Sequence, residues 1–283
     1  MTPIQTEVLT WYAAAGRTLP WRDVDDPYLV LVSEIMLQQT QVSRVVPAFE
    51  GFLDRFPDVA ALAAAPRASV LQAWRGLGYN RRAVALHRAS QEVVDRFDGR
   101  IPADLEALRS LPGVGEYTAR AILSFAFGIQ SAPVDTNIRR VVSRAIVGSA
   151  LSGRALQSAA DAAVPLGRSR DWSAALMDLG ARYCKAKPAC EPCPVARECA
   201  WARAGGPDPA AAPERTAAPA PFAGSTRYHR GRLLDALRNG AVARHDVAKA
   251  ALLVDEDAVS ALVAGLVRDG LAQWQADVLT LPA

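Results

Sequence analysis

Leu111-Pro112-Gly113-Val114-Gly115-Glu116-Tyr117-Thr118-Ala119 lies between two stretches of helical periodicity. Two glycines one residue apart let the backbone turn sharply and present consecutive N–H groups. The next helix starts there, so its positive dipole end points the same way. Gly113 and Gly115 are therefore candidates for a phosphate seat that ignores sequence. The plainer reading is a tight turn between helices. In either case the segment is a helical hairpin.

Outward from it, the pattern stays helical. Asp26-Pro27 reads as a helix start, with a cap followed by proline at the first helical position. The segment Tyr28–Gln41 then runs without a breaker. Further helices are expected over Val45–Arg55, Ala68–Leu77, Arg82–Phe97, Ala103–Ser110, Glu116–Phe127, Thr136–Ala145 and Trp172–Ala181. β-branched alternation is nearly absent, so residues 1–204 are expected to form an all-α domain. Residues 205–226 hold five prolines, three glycines and seven alanines and read as a linker. Residues 227–283 change pattern. Helices are expected over Gly231–Arg238, His245–Ala250 and Ala258–Arg268, with extended pieces around Leu271–Trp274 and Val278–Leu281. Three helices and a β-hairpin describe a winged-helix-like domain, a module that binds DNA or other proteins.

All four cysteines, Cys184, Cys190, Cys193 and Cys199, fall within sixteen residues. The spacing C-x5-C-x2-C-x5-C reads as one metal site. A 4Fe–4S cluster on four thiolates suits the staggered spacing. Structural zinc usually pairs two C-x2-C knuckles, and one is present. Disulfides fit poorly, because nothing looks secreted. Lys185, Lys187 and Arg182 put cations on this loop, where they could meet phosphates or simply face water.

The net charge of +3 is mild. Its distribution is uneven, with 24 basic and 20 acidic side chains in residues 1–204 but seven of each in residues 227–283. No stretch approaches the ~20 apolar residues of a membrane span. MTPIQTEVLTWY lacks the pattern of a signal peptide, so a cytoplasmic protein without membrane contact is expected.

Two carboxylates carry candidate chemistry. Glu34 shares its helix face with Val30, Leu31, Leu37 and Gln38. A carboxyl on an apolar stripe is costly unless it has a purpose, and desolvation keeps it protonated as a general acid needs to be. Alternatively it sits at the stripe's edge and reaches water. Asp135 precedes Thr136-Asn137 at a helix start. It reads as an ordinary cap, or as a cap and a catalytic carboxylate held ionised by the helix dipole. One neutral and one ionised carboxyl is the division of labour that cleaves glycosidic bonds. Trp21, Tyr79 and Tyr117 fall beside these motifs and are core residues by default, or platforms for an extruded base.

LPWR (Leu19–Arg22), SEIMLQQTQV (Ser33–Val42), GLGY (Gly76–Tyr79), LPGVGEYTA (Leu111–Ala119), VDTN (Val134–Asn137) and the four-cysteine loop occur in this order. Together they resemble the MutY-type adenine DNA glycosylases of the helix-hairpin-helix, iron–sulfur superfamily, over roughly Leu19 to Cys199. The resemblance implies a monofunctional enzyme of base excision repair that removes adenine mispaired with 8-oxoguanine or guanine in double-stranded DNA and acts as a monomer. It implies Glu34 as the general acid on the adenine ring nitrogen N7 and Asp135 as the group that stabilises the cationic sugar. Tyr117 and Asn137 orient them. Arg17, Leu19, Trp21 and Arg22 line the adenine pocket, and Gln38, Gln39 and Tyr79 wedge into the duplex. The cysteines would hold a structural 4Fe–4S cluster.

This chain departs from that family at four places. The first cysteine gap has five residues where six are usual. Ala174 stands where Glu or Gln often helps hold the adenine. Asn80 replaces a second tyrosine after GLGY, and the tail is too short for the Nudix-like domain of many relatives. One rival reading is an endonuclease III-like lyase, which needs a lysine nucleophile after the hairpin. Glu116-Tyr117-Thr118 stand there instead, and no lysine precedes Lys185. The other rival is a non-catalytic DNA-binding protein on the same scaffold.

Overall fold

A computed structural model describes residues 1–211 and 221–283; residues 212–220, part of the expected linker, lie outside the described residues. The chain divides into two units. The first gathers Met1–Glu34, Pro102–Ser110 and the chain onward from Val114; the second gathers Ile35–Ile101, Leu111–Gly113 and the tail to Ala283. Among the described residues, strands occur only in the tail.

In the first unit, helix Pro3–Ala15 starts with a capping box between Thr2 and Gln5. Asp104 caps Leu105–Arg109 and Asp135 caps Thr136–Val141, each through a backbone N–H three residues on. Helices Pro3–Ala15 and Thr136–Val141 pack with Gly153–Ala162 and Ser169–Arg182 around a core of Val8, Ile138, Val142, Leu156, Trp172 and Leu179. Burying such side chains contributes about 1.5–3 kcal/mol each. The helix expected over Thr136–Ala145 widens at Val142 into a π-helical turn, Val142–Val147. Buried Arg144 sits on this turn, paired with Asp208 at 2.6 Å.

The hairpin has the form its sequence implies. Gly113 adopts φ +79, and a Cβ there would lie 2.8 Å from the Ala85 Cβ, so both conformation and space exclude a side chain. Gly115 is extended and starts helix Glu116–Phe125.

In the second unit, the expected helix to Gln41 stops early. Helix Pro27–Leu37 ends there, and Gln39 turns left-handed at φ 56. The reason is remote in sequence: the Arg82 guanidinium takes the carbonyls of Ile35, Met36 and Gln38 at 2.6–2.8 Å, in place of another helical turn. Arg82 opens helix Arg81–Phe97, which packs on Val59–Ala64 and Arg67–Ala73.

The tail forms helices Thr226–Asn239, Val247–Ala251 and Glu256–Arg268 over buried Leu233, Leu237, Leu266 and Leu279. Strands Gln273–Gln275 and Val278–Thr280 make the hairpin, with Trp274 opposite Leu279. A short strand, Val242–Ala243, adds to the other side of Val278–Thr280. This is the winged-helix order. Helix Thr226–Asn239 packs on helix Arg67–Ala73 of the same unit.

Candidate active site

Glu34 enters the first unit's interior from helix Pro27–Leu37, and only 6% of it is exposed. Burial pushes its carboxyl up to about 7; the hydrogen bond from the Tyr117 hydroxyl opposes this, and the nearby Asp135 charge adds to it. The Tyr117 phenol is itself raised well above its usual range, by burial first and then by the two carboxylates. Tyr117 is thus a proton donor to Glu34 that does not itself ionise.

Asp135 is held more firmly. Its Oδ1 accepts the Ile138 N–H at 2.7 Å and its Oδ2 accepts from Asn137 Nδ2 at 2.7 Å. Burial raises its pKa, while these bonds and Arg140 pull it back down. The dipole expectation is thereby modified: desolvation outweighs the cap, but donors aimed at both oxygens favour the anion more than anything around Glu34 does. Asn137 is fixed in turn by Arg140, whose Nη2 donates to its Oδ1 at 2.6 Å. The same guanidinium donates to the Gly180 carbonyl at 3.1 Å and the Cys184 carbonyl at 2.6 Å. Tyr117, Val134, Asp135, Thr136, Arg139 and Leu156 line an open recess of about 400 Å³.

Arg17 and Arg22 converge on a residue the sequence reading missed. Asp178, 3% exposed, accepts from the Arg17 N–H and Nε at 2.8 and 2.7 Å and from Arg22 Nη1 and Nη2 at 2.8 and 2.6 Å. Burial alone would raise its carboxyl, yet the hydrogen bonds from Arg22 and Arg17 hold it below the usual range. The clamp fixes the segment carrying half-buried Leu19 and buried Trp21. A signal existed: Asp178 interrupts the apolar run of Ala174, Ala175, Leu176, Met177 and Leu179. Gly180 is a second missed position. A Cβ there would come 2.5 Å from the Asn137 Cβ, so this helical glycine lets Asn137 sit against the helix.

The remaining candidates lie in the second unit. Gln38 Nε2 donates to the Gly113 carbonyl at 3.4 Å, and Gln39 is exposed on its left-handed turn. Tyr79 is 45% exposed and also left-handed, at φ 45.

The four cysteines are free thiols, so none is paired in a disulfide. All four line one cavity, with Leu179, Pro188, Val195 and Trp201 among its walls. Among the described residues no three His, Cys, Asp or Glu side chains gather closely enough for a single metal ion. Burial raises the Cys184 thiol and pushes Cys193 up to about 11. Arg144 Nη1 donates to the Cys184 sulfur at 3.4 Å.

Comparison with known proteins gives this geometry its setting. Residues 32–158 match the HhH-GPD superfamily base excision DNA repair proteins. The adenine DNA glycosylase of Mycolicibacterium smegmatis is 42% identical over 238 residues, 82% of this chain and 80% of that protein. The Homo sapiens adenine DNA glycosylase is 40% identical over 210 residues, 69% of this chain and 38% of that protein. This chain belongs to the adenine DNA glycosylase family. As a family member it also shares its fold with solved DNA glycosylases. A thermostable thymine-DNA glycosylase superposes with a TM-score of 0.66 at 32% identity, covering 71% of this chain and 95% of that one. An endonuclease III in a trapped DNA complex superposes with a TM-score of 0.59 at 21% identity, covering 72% and 99%, a likeness of fold alone. Among the described residues, no helix of this adenine glycosylase relative is long and apolar enough to cross a membrane.

Proposed function

We propose that this chain excises adenine paired with 8-oxoguanine or guanine in duplex DNA, by hydrolysis of the N-glycosidic bond. The observation that carries the reading is Glu34, a buried carboxyl whose pKa of about 7 makes it a proton donor at neutral pH. Adenine is a poor leaving group until a ring nitrogen is protonated, and Glu34 supplies that proton to N7. Tyr117 holds Glu34 in place. Departure of the base leaves a cationic sugar, which the Asp135 carboxylate stabilises while Asn137 orients it. The base must first leave the stack, at a cost of a few kcal/mol. Gln38, Gln39 and Tyr79 are proposed to enter the duplex and offset that cost. Arg17, Leu19, Trp21 and Arg22 are proposed to form the wall of the adenine pocket, and Gly113 and Gly115 to offer backbone N–H groups to phosphate.

Cys184, Cys190, Cys193 and Cys199 are proposed to hold a 4Fe–4S cluster. Four thiols around one cavity suit a multi-iron group bound at its corners. The cluster would brace the loop carrying Lys185 and Lys187. From this loop the Cys184 carbonyl accepts from Arg140, which holds Asn137.

A lyase reading lacks its nucleophile, because no lysine precedes Lys185. The deciding experiment is single-turnover release of free adenine from duplexes with 8-oxoguanine or guanine opposite, using protein characterised by iron content and absorbance. Adenine release without strand cleavage, from brown protein absorbing near roughly 400 nm, is expected. Absence of adenine release would leave only a DNA-binding module. A borohydride-trapped adduct would restore the lyase, and colourless zinc protein would overturn the cluster.

A further inference from the structure

The tail performs none of the chemistry above, yet two of its arginines end on the turn that carries Tyr79. Helix Thr226–Asn239 presents Arg238, whose side chain is 4% exposed. Its Nη2 donates to the Asn80 Oδ1 at 2.7 Å, its Nε to the Leu71 carbonyl at 3.0 Å, and its Nη1 to Asp235 at 2.7 Å. Every part of this guanidinium is thus engaged, and Asn80 supplies the acceptor that lies on the turn. From the first turn of the same helix, Arg227 Nη1 donates to the Tyr79 hydroxyl at 3.1 Å. A third contact runs the other way, from Arg75 Nη2 to the Asn239 Oδ1 at 2.7 Å.

The turn needs holding. Tyr79 is a bulky residue at φ 45, a strained conformation that persists only where its surroundings fix it. From one side the Arg82 guanidinium lies over its ring at 5.5 Å and donates to the Gly78 carbonyl at 3.1 Å. From the other side the tail binds the hydroxyl of Tyr79 and the side chain of Asn80. The short amide there brings a carbonyl oxygen within reach of Arg238.

We propose that the C-terminal domain is a clamp on the Tyr79–Asn80 turn, with Arg238 and Arg227 as positioning residues that present Tyr79 to the duplex in one orientation. This rests on the reading of Tyr79 as a residue that enters the duplex. Ordering the turn beforehand removes an entropic cost from base extrusion and leaves the bond-breaking step alone.

The test uses the full chain with Arg238→Gln, Arg227→Gln and Asn80→Ala. Adenine release is measured on a duplex with guanine opposite and on one with an abasic site opposite, where no partner base holds the adenine in. Arg238→Gln should slow release opposite guanine about tenfold and opposite the abasic site less than about twofold. Asn80→Ala should reproduce this, and the double variant should be no slower than Arg238→Gln alone. Arg227→Gln should cause a smaller loss of the same selectivity. In parallel, 2-aminopurine in place of the adenine reports extrusion without excision, so the clamp is tested even if no adenine is ever released. The variants should lose most of the fluorescence rise while keeping duplex affinity. Equal slowing on both duplexes, additive effects of Asn80→Ala and Arg238→Gln, or a fluorescence rise unchanged by the substitutions or absent from the parent chain would overturn the clamp.

Discussion

Glu34 in the first unit and Arg82 in the second are ionisable groups taken out of water, and their surroundings treat them in opposite ways. Around Arg82 the fold aims fixed dipoles at the charge: the carbonyls of Ile35, Met36, Gln38, Leu77 and Gly78 and the hydroxyl of Thr40. Burial lowers its pKa only to about 10, so it stays a cation at neutrality. Around Glu34 burial dominates, the Asp135 charge adds to it, and the Tyr117 hydroxyl is the partner that opposes its rise to about 7. A saturated charge becomes a fastener, because moving it would strand many partners at once. An under-served one becomes a reagent, because either protonation state is within thermal reach.

The largest way to break this contrast is Glu34→Gln. The amide keeps the shape and loses the transferable proton, so adenine release should fall about 10²–10⁴-fold in single turnover while duplex binding is retained. Activity near the parent's would remove Glu34 from its role. Next in size is Arg82→Met, which keeps the stem and takes a donor away from each of these carbonyls. A loss of about 3 kcal/mol is expected in urea unfolding, together with weaker order at Gln39 and Tyr79. A neutral result would mean that these carbonyls find water freely.

The smallest expected effect sharpens the contrast through pH. The Glu34 pKa in the folded chain lies above its ordinary value of 4.5. The native state therefore binds this proton more tightly than the unfolded state, and stability drains away as pH rises from about 4.5 through about 7. Glu34→Gln removes that drain. The variant should match its parent near pH 4.5 and be the more stable of the two above pH 7. A variant less stable than the parent at high pH would show that ionised Glu34 is well solvated.

Much of the site was legible because its key residues break a local rule. A carboxyl on the stripe of Val30, Leu31 and Leu37 stands out, and so does an aspartate placed to cap Thr136–Val141. The hairpin was legible from two glycines, of which Gly113 has both the conformation and the crowding that require one. What stayed hidden depends on partners far along the chain. Nothing near Leu37 announces that Arg82 will end its helix, and Asp178 acquires meaning only when Arg17 and Arg22 arrive from 161 and 156 positions away. The widened turn at Val142–Val147 and the edge strand Val242–Ala243 were hidden likewise, since both depend on what packs or pairs beside them.

Gly180 contributes an absence of atoms, and that absence has a hereditary consequence. A single methyl would intrude on Asn137 within 2.5 Å, and the disturbance would pass to Asp135 through the bond between them. Such an allele would keep every motif quoted from the sequence and still disturb the aspartate that caps Thr136–Val141.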